Sequence, residues 1–193
     1  GAIRYGGVDL RDLDPADLRG RIGAVFQDFV RYQFSAAENV GLGEPAHLED
    51  RPRIERAARL GGAEQVIAGL PQGMETVLGG WFEAGQELSA GQWQKLAVAR
   101  AFMREDAEIL VLDEPTASID AEAEHELFER FQALAADRTA IVISHRFSTV
   151  RLADRVAVFH GGKLEELGTH RDLLAADGRY AHLFRLQARG YLD

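Results

Sequence analysis

The 193-residue sequence contains no cysteine, which excludes disulfides, zinc–thiolate centres and thiol nucleophiles. No apolar run approaches the roughly 18–20 residues of a membrane span. Positive charge is scarce: 22 Lys plus Arg stand against 31 Asp plus Glu, a net charge of −9. A chain with that balance lacks the basic footprint of a general nucleic-acid binder. Lysine is scarcest of all. Lys95 and Lys163 are the only two, which limits the phosphate-binding loops the sequence can hold. What remains is 46% hydrophobic and 27% charged, enough for one soluble globular domain with a core and a small subdomain.

Glycine is also missing from one stretch. Of 20 glycines, 15 lie between Gly1 and Gly91 and none between Gly91 and Gly161, so the most regular structure is expected there. That stretch reads as helix over 89–104, a strand over Glu108–Asp113, a helix over 121–136 and a strand over Thr139–Ile143. In the second helix Leu127, Phe128, Phe131 and Leu134 recur at helical spacing. Continuous apolar strands joined through helices predict a parallel sheet covered on both faces. Upstream, Ala2–Tyr5 and Arg21–Phe26 read as short strands around an acidic turn region. Residues 35–80 read as a mostly helical insertion. Downstream come a short helix, a β-hairpin of 155–160 and 163–167 joined by Gly161-Gly162, and an amphipathic helix marked by Tyr180, Leu183, Phe184 and Gln187.

Chemistry-bearing residues sit at the ends of these elements. Asp113 and Glu114 close an apolar strand, where α/β sheets place ligands. A hard cation such as Mg²⁺ takes one or two carboxylates and keeps several waters, and a neighbouring carboxylate can deprotonate a water. A solvated strand end is an equally good account of that pair alone. Ser89 and Gln92 form a capping box. The same small-residue helix start, with Ala90 and Gly91, offers free N–H groups to a phosphate. His145 and Gln27 each follow a strand tip, where a hydrogen-bonded structural role is the commoner one. The six histidines show no metal-ligand spacing.

The order of the pieces carries more information than any one of them. Gln27, then Leu88-Ser89-Ala90-Gly91-Gln92, then Ile109-Leu-Val-Leu-Asp113-Glu114, then Ala117-Ser-Ile-Asp120, then His145 strongly resembles the ATPase domain of ABC transporters over nearly the whole chain. Gln27 matches the Q-loop, 88–92 the signature with Ala90 in place of its first Gly, 109–114 Walker B, 117–120 the D-loop and His145 the switch histidine. The segment 168–174 and the closing helix resemble the exporter branch.

The resemblance implies an α/β, P-loop NTPase-like fold with a parallel-sheet core and a helical subdomain. It divides the chain into 1–34 with the Q-loop, 35–103 with the signature, and 104–193 with Walker B, D-loop and His145. It further implies a head-to-tail pair of such domains enclosing two ATP. Asp113 would hold Mg²⁺, with Gln27 reaching metal and water. Glu114 would be the general base, and His145 would contact the γ-phosphate. Ser89, Ala90, Gly91 and Gln92 would act on ATP held by the opposite subunit, with Asp120 linking the two sites. Residues 79–87 match loosely a loop that touches membrane domains. The expected setting is the cytoplasmic face of the cell membrane.

One motif is absent. The family's phosphate loop reads G-x-x-x-x-G-K-[ST], but Lys95 and Lys163 are each followed by Leu where Ser or Thr is required. A chain opening on Gly1 leads to the expectation that the loop lies upstream, in an exporter subunit whose membrane spans precede it, and that the 193 residues alone hydrolyse little ATP. The alternative is a non-catalytic partner that offers its signature face to another chain's ATPase site. An ABC-type ATPase of DNA maintenance is disfavoured by the acidic balance and the lack of heptads and cysteine.

Overall fold

The computed structural model describes residues 1–83, 85–115, 124, 127–129, 131–132, 135 and 137–189. They form two compact units, Gly1–Ile143 and Ser144–Asp193.

The first unit opens with a small antiparallel pair, β1 (Arg4–Tyr5) and β2 (Val8–Asp9). Helix α1 (Pro15–Gly20) starts at Asp14, whose carboxylate accepts from the N–H groups of Ala16 and Asp17. Both β2 and α1 fall in what reads in sequence as an acidic turn region. Strand β3 (Ile22–Val25) follows. The helical insertion then supplies α2 (Ala36–Gly41), α3 (Arg51–Leu60) and α4 (Glu64–Ala68). Ser35 and Glu38 cap α2 reciprocally, and Asp50 with a proline in the first turn starts α3. Helix α5 (Ala90–Phe102) is the centre of the unit. Trp93, Leu96, Val98, Ala99 and Phe102 on it are all buried, the pattern of a helix packed on several sides. Burial of Leu96, Val98 and Phe102 contributes roughly 1.5–3 kcal/mol each.

Strands β4 (Ile109–Asp113) and β5 (Thr139–Ile143) complete a parallel sheet of order β3-β4-β5. The side chains alternate. Val25, Leu110 and Leu112 face the core, and Gly23 lets the carbonyl of Ala101 on α5 approach to 3.2 Å from where a Cβ would stand. The other face differs from expectation. Ile141 is 49% and Ile143 51% exposed, so among the described residues the face that carries them is open at β5. Of the helix expected over 121–136, positions 124, 127–129, 131–132 and 135 are helical. Leu127, Phe128 and Phe131 are buried in the core, and Leu134 lies outside the described residues.

The second unit contains α6 (Phe147–Val150), the hairpin β6 (Val156–His160) and β7 (Lys163–Gly168), α7 (His170–Ala175) and α8 (Arg179–Arg189). Its core gathers Val156, Leu173 and Tyr180. No helix of the described residues is long and apolar enough to cross a membrane.

Candidate functional site

The C-terminal edge of the parallel sheet carries the first group. Asp113 is the last residue of β4, level with Ile143 of β5. Glu114 follows with φ +49°, the left-handed region that an L-residue enters at a cost of roughly 1–2 kcal/mol. Three features hold it there. Its N–H donates to the Ile143 carbonyl at 2.9 Å, its carbonyl accepts from Gln94 Nε2 at 3.4 Å, and Pro115 behind it is fully buried. Residues held in such sparsely populated conformations cluster at functional sites. Gln27 is exposed and lies two residues beyond β3, the neighbour of β4.

The second group is the start of α5. Ser89 Oγ accepts from the Gln92 N–H at 3.3 Å, and Gln92 Oε1 accepts from the Ser89 N–H at 2.9 Å. The expected capping box is therefore present. Ser89, Ala90 and Gln92 are exposed, with the positive end of the helix behind them. Ala90 takes ordinary helical backbone rather than a left-handed conformation, so its methyl group brings no strain. Gln94, itself buried, joins this helix to Glu114.

A third cluster escaped sequence reasoning. Asn39 on α2 is buried, and its amide donates to the carbonyls of Tyr32, Phe34 and Ser35. Arg100 on α5 donates to the carbonyls of Asn39 and Val30 and lies 4.7 Å from the Tyr32 ring. Together they shape the segment that leads away from Gln27. The usable signal was a polar pair set at otherwise apolar helix positions. Beside that segment is an open groove of about 430 Å³ lined by Gln33, Phe34, Ser35, Glu38, Val77 and Phe82. Trp81 next to it is 84% exposed.

In the second unit His145 is exposed. Its carbonyl accepts from Gln187 Nε2 at 3.2 Å, and Ser144 Oγ accepts from the Arg146 N–H at 3.0 Å. Asp120 lies outside the described residues.

The donors at the sheet edge suit magnesium. Asp113, Glu114 and Gln27 offer only oxygen ligands of hard character. Among the described residues no group of three or more His, Cys, Asp or Glu is close enough to hold a metal alone. An ion bound there would depend on water and phosphate oxygens, as Mg²⁺ does with nucleotide.

Comparison with known proteins gives the family. The family model for ABC transporters matches residues 1–117, and the chain belongs to the ABC transporter family, whose intact members hydrolyse ATP. More narrowly, its relatives are of the exporter type. It is 41% identical over 187 residues to an ATP-dependent lipid A-core flippase of Burkholderia pseudomallei (strain 1710b), covering 97% of this chain and 30% of that protein. It is 38% identical over 188 residues to the putative multidrug export ATP-binding/permease protein YgaD of Bacillus subtilis (strain 168), covering 97% and 31%. A solved bacterial Atm1-family ABC exporter with ATP bound superposes with a TM-score of 0.88 at 35% identity, over 97% of this chain and 32% of the other. The chain thus spans about a third of the relatives it matches.

Proposed function

We propose that this chain is the ATP-hydrolysing part of an export transporter, completed by a phosphate loop that its own 193 residues do not contain. The observation that supports this most is the tip of β4, where Asp113 and a left-handed Glu114 end a core strand. In this reading Glu114 takes the proton of the attacking water. The water oxygen bonds to the γ-phosphorus as the bond to the β,γ-bridging oxygen breaks. Asp113 and Gln27 would hold Mg²⁺, which when bound neutralises charge on the phosphate oxygens. His145 would meet the γ-phosphate. A second copy or a similar domain would present Ser89, Ala90, Gly91 and Gln92, and the exposure of Ser89, Ala90 and Gln92 suits action across an interface. Asp120 would connect the two sites.

The groove between Phe34 and Phe82, with Trp81 beside it, would receive the cytoplasmic part of the membrane domains. Apolar lining and open access suit a protein segment rather than a small polar ligand. The working place is then the cytoplasmic face of the cell membrane.

The test is Glu114→Gln in the full-length subunit with its membrane part, in liposomes. Hydrolysis should fall by about 10²–10⁴-fold while ATP binding persists. Unchanged turnover would remove Glu114 from this role and favour the alternative, a module that only lends its signature face to another chain's site.

A further inference from the structure

The residues around His145 are tied to the C-terminal helix by one side chain. Gln187 on α8 accepts from the Phe147 N–H through Oε1 at 3.0 Å and donates from Nε2 to the His145 carbonyl at 3.2 Å. A single primary amide therefore uses both its donor and its acceptor on the backbone that flanks His145. A carboxylate, which only accepts, or an ammonium, which only donates, could not do both.

The helix that presents Gln187 is itself well anchored. The Phe147 ring meets Tyr180 and Phe184, each 5.3 Å away between centroids and close to perpendicular, a favourable aromatic geometry. Tyr180, Phe184 and Gln187 recur at i, i+4 and i+7, so one face of α8 makes all three contacts. At the other end of α8 the Glu166 carboxylate accepts from the N–H groups of Arg179 and Tyr180 at 2.8 and 2.9 Å. The hairpin strand β7 thus fixes the start of α8, the aromatic stack fixes its middle, and Gln187 hands that rigidity to the His145 backbone.

We infer that Gln187 is a positioning residue for His145, so that the C-terminal helix governs the switch histidine of the same domain. This rests on the role proposed above for His145. Both of these hydrogen bonds of Gln187 are to backbone, and it need not contact nucleotide. Its effect should be on the reacting geometry, where a displacement of about 1 Å can be costly.

A double-mutant cycle in the full-length subunit in liposomes tests this, with His145→Ala, Gln187→Leu and the pair. His145→Ala should lower kcat. Gln187→Leu should lower kcat roughly tenfold with the KM for ATP unchanged. The pair should be no slower than His145→Ala alone. Losses that multiply, or an unchanged kcat for Gln187→Leu, overturn the inference. An unaffected His145→Ala overturns the histidine's proposed role and this inference with it. Gln187→Glu, which keeps the acceptor for Phe147 but loses the donor, guards against a folding artefact. Amide exchange at Phe147 should rise in Gln187→Leu and stay near wild type in Gln187→Glu. Equal exchange at Phe147 in wild type and Gln187→Leu also counts against the inference.

Discussion

Arg100 on α5 donates from Nε to the Asn39 carbonyl on α2 at 2.9 Å, across 61 positions of sequence. Its Nη1 reaches the Val30 carbonyl at 3.1 Å, and its guanidinium faces the Tyr32 ring. Burial lowers its pKa, yet an arginine stays charged throughout the usual range. One side chain therefore links the signature helix to the segment following Gln27. Lysine keeps the charge but not the planar fork or the ring stacking. Arg100→Lys should cost about 1–2 kcal/mol and Arg100→Ala about 2–4 kcal/mol in urea unfolding. Amide exchange should rise over residues 30–35 in both. Equal stability of wild type and Arg100→Lys would show that the fork does not matter.

The positive φ of Glu114 makes a separate prediction about stability. Glycine occupies the left-handed region without the Cβ clash. Glu114→Gly should therefore raise stability by up to about 1 kcal/mol, while Glu114→Gln, with the same backbone cost, leaves it unchanged. Both should lack hydrolysis in the full-length protein. A destabilised Glu114→Gly, measured by the urea midpoint, would mean that the carboxylate stabilises the strand tip by more than its backbone costs.

These two sites show what could be read in the sequence. The apolar run 108–113 and the branched run 139–143 gave strands that the structure places at Ile109–Asp113 and Thr139–Ile143, because short runs rich in branched apolar residues favour extended backbone. The Ser89–Gln92 box was legible because capping is local. The hairpin around Gly161-Gly162 was legible for the same reason. The Arg100–Asn39 link was not: each is a polar residue at an otherwise apolar helix position, but their pairing depends on two helices meeting. The left-handed turn at Glu114 was equally hidden: Glu is a poor marker of positive φ, and what imposes it is Ile143, Gln94 and Pro115 together. The exposure of Ile141 and Ile143 among the described residues was not legible, because period and composition report that a strand is apolar, not what covers it.

Close packing at Gly61 gives a third expectation. Gly61 ends α3, and a Cβ there would stand 2.4 Å from the Ala99 nitrogen and 2.5 Å from its Cα on α5. Backbone cannot rotate away as a side chain can, so the helices must part. Gly61→Ala should cost about 1–3 kcal/mol, and more if α3 cannot shift. Gly20→Ala is the control. Nothing lies within 4 Å of that position and its φ is negative, so a neutral to slightly favourable effect is expected, about 0.5 kcal/mol. Equal midpoints for the two variants in urea would contradict the contact between α3 and α5.

Glu87, just before the signature, makes the start of α5 sensitive to acid. Its Oε1 accepts from the Trp93 indole N–H at 2.8 Å and from the Leu88 N–H at 3.2 Å. The Trp93 bond is the main reason its pKa is held below the ordinary glutamate value. A carboxylate depressed in the folded state contributes stability above its unfolded pKa, about 4.3, and loses it as pH falls through the lower folded value. The indole N–H resonance of Trp93 should therefore shift below about pH 4.3, together with a fall in stability. Glu87→Gln removes the titration but can keep a neutral bond to the indole, so its resonance should stay flat over the same range. A wild-type resonance that does not move with acid would mean that Trp93 is held by its burial alone. The chain entering Ser89 would then owe its position to Leu88 in the core rather than to the Glu87 carboxylate.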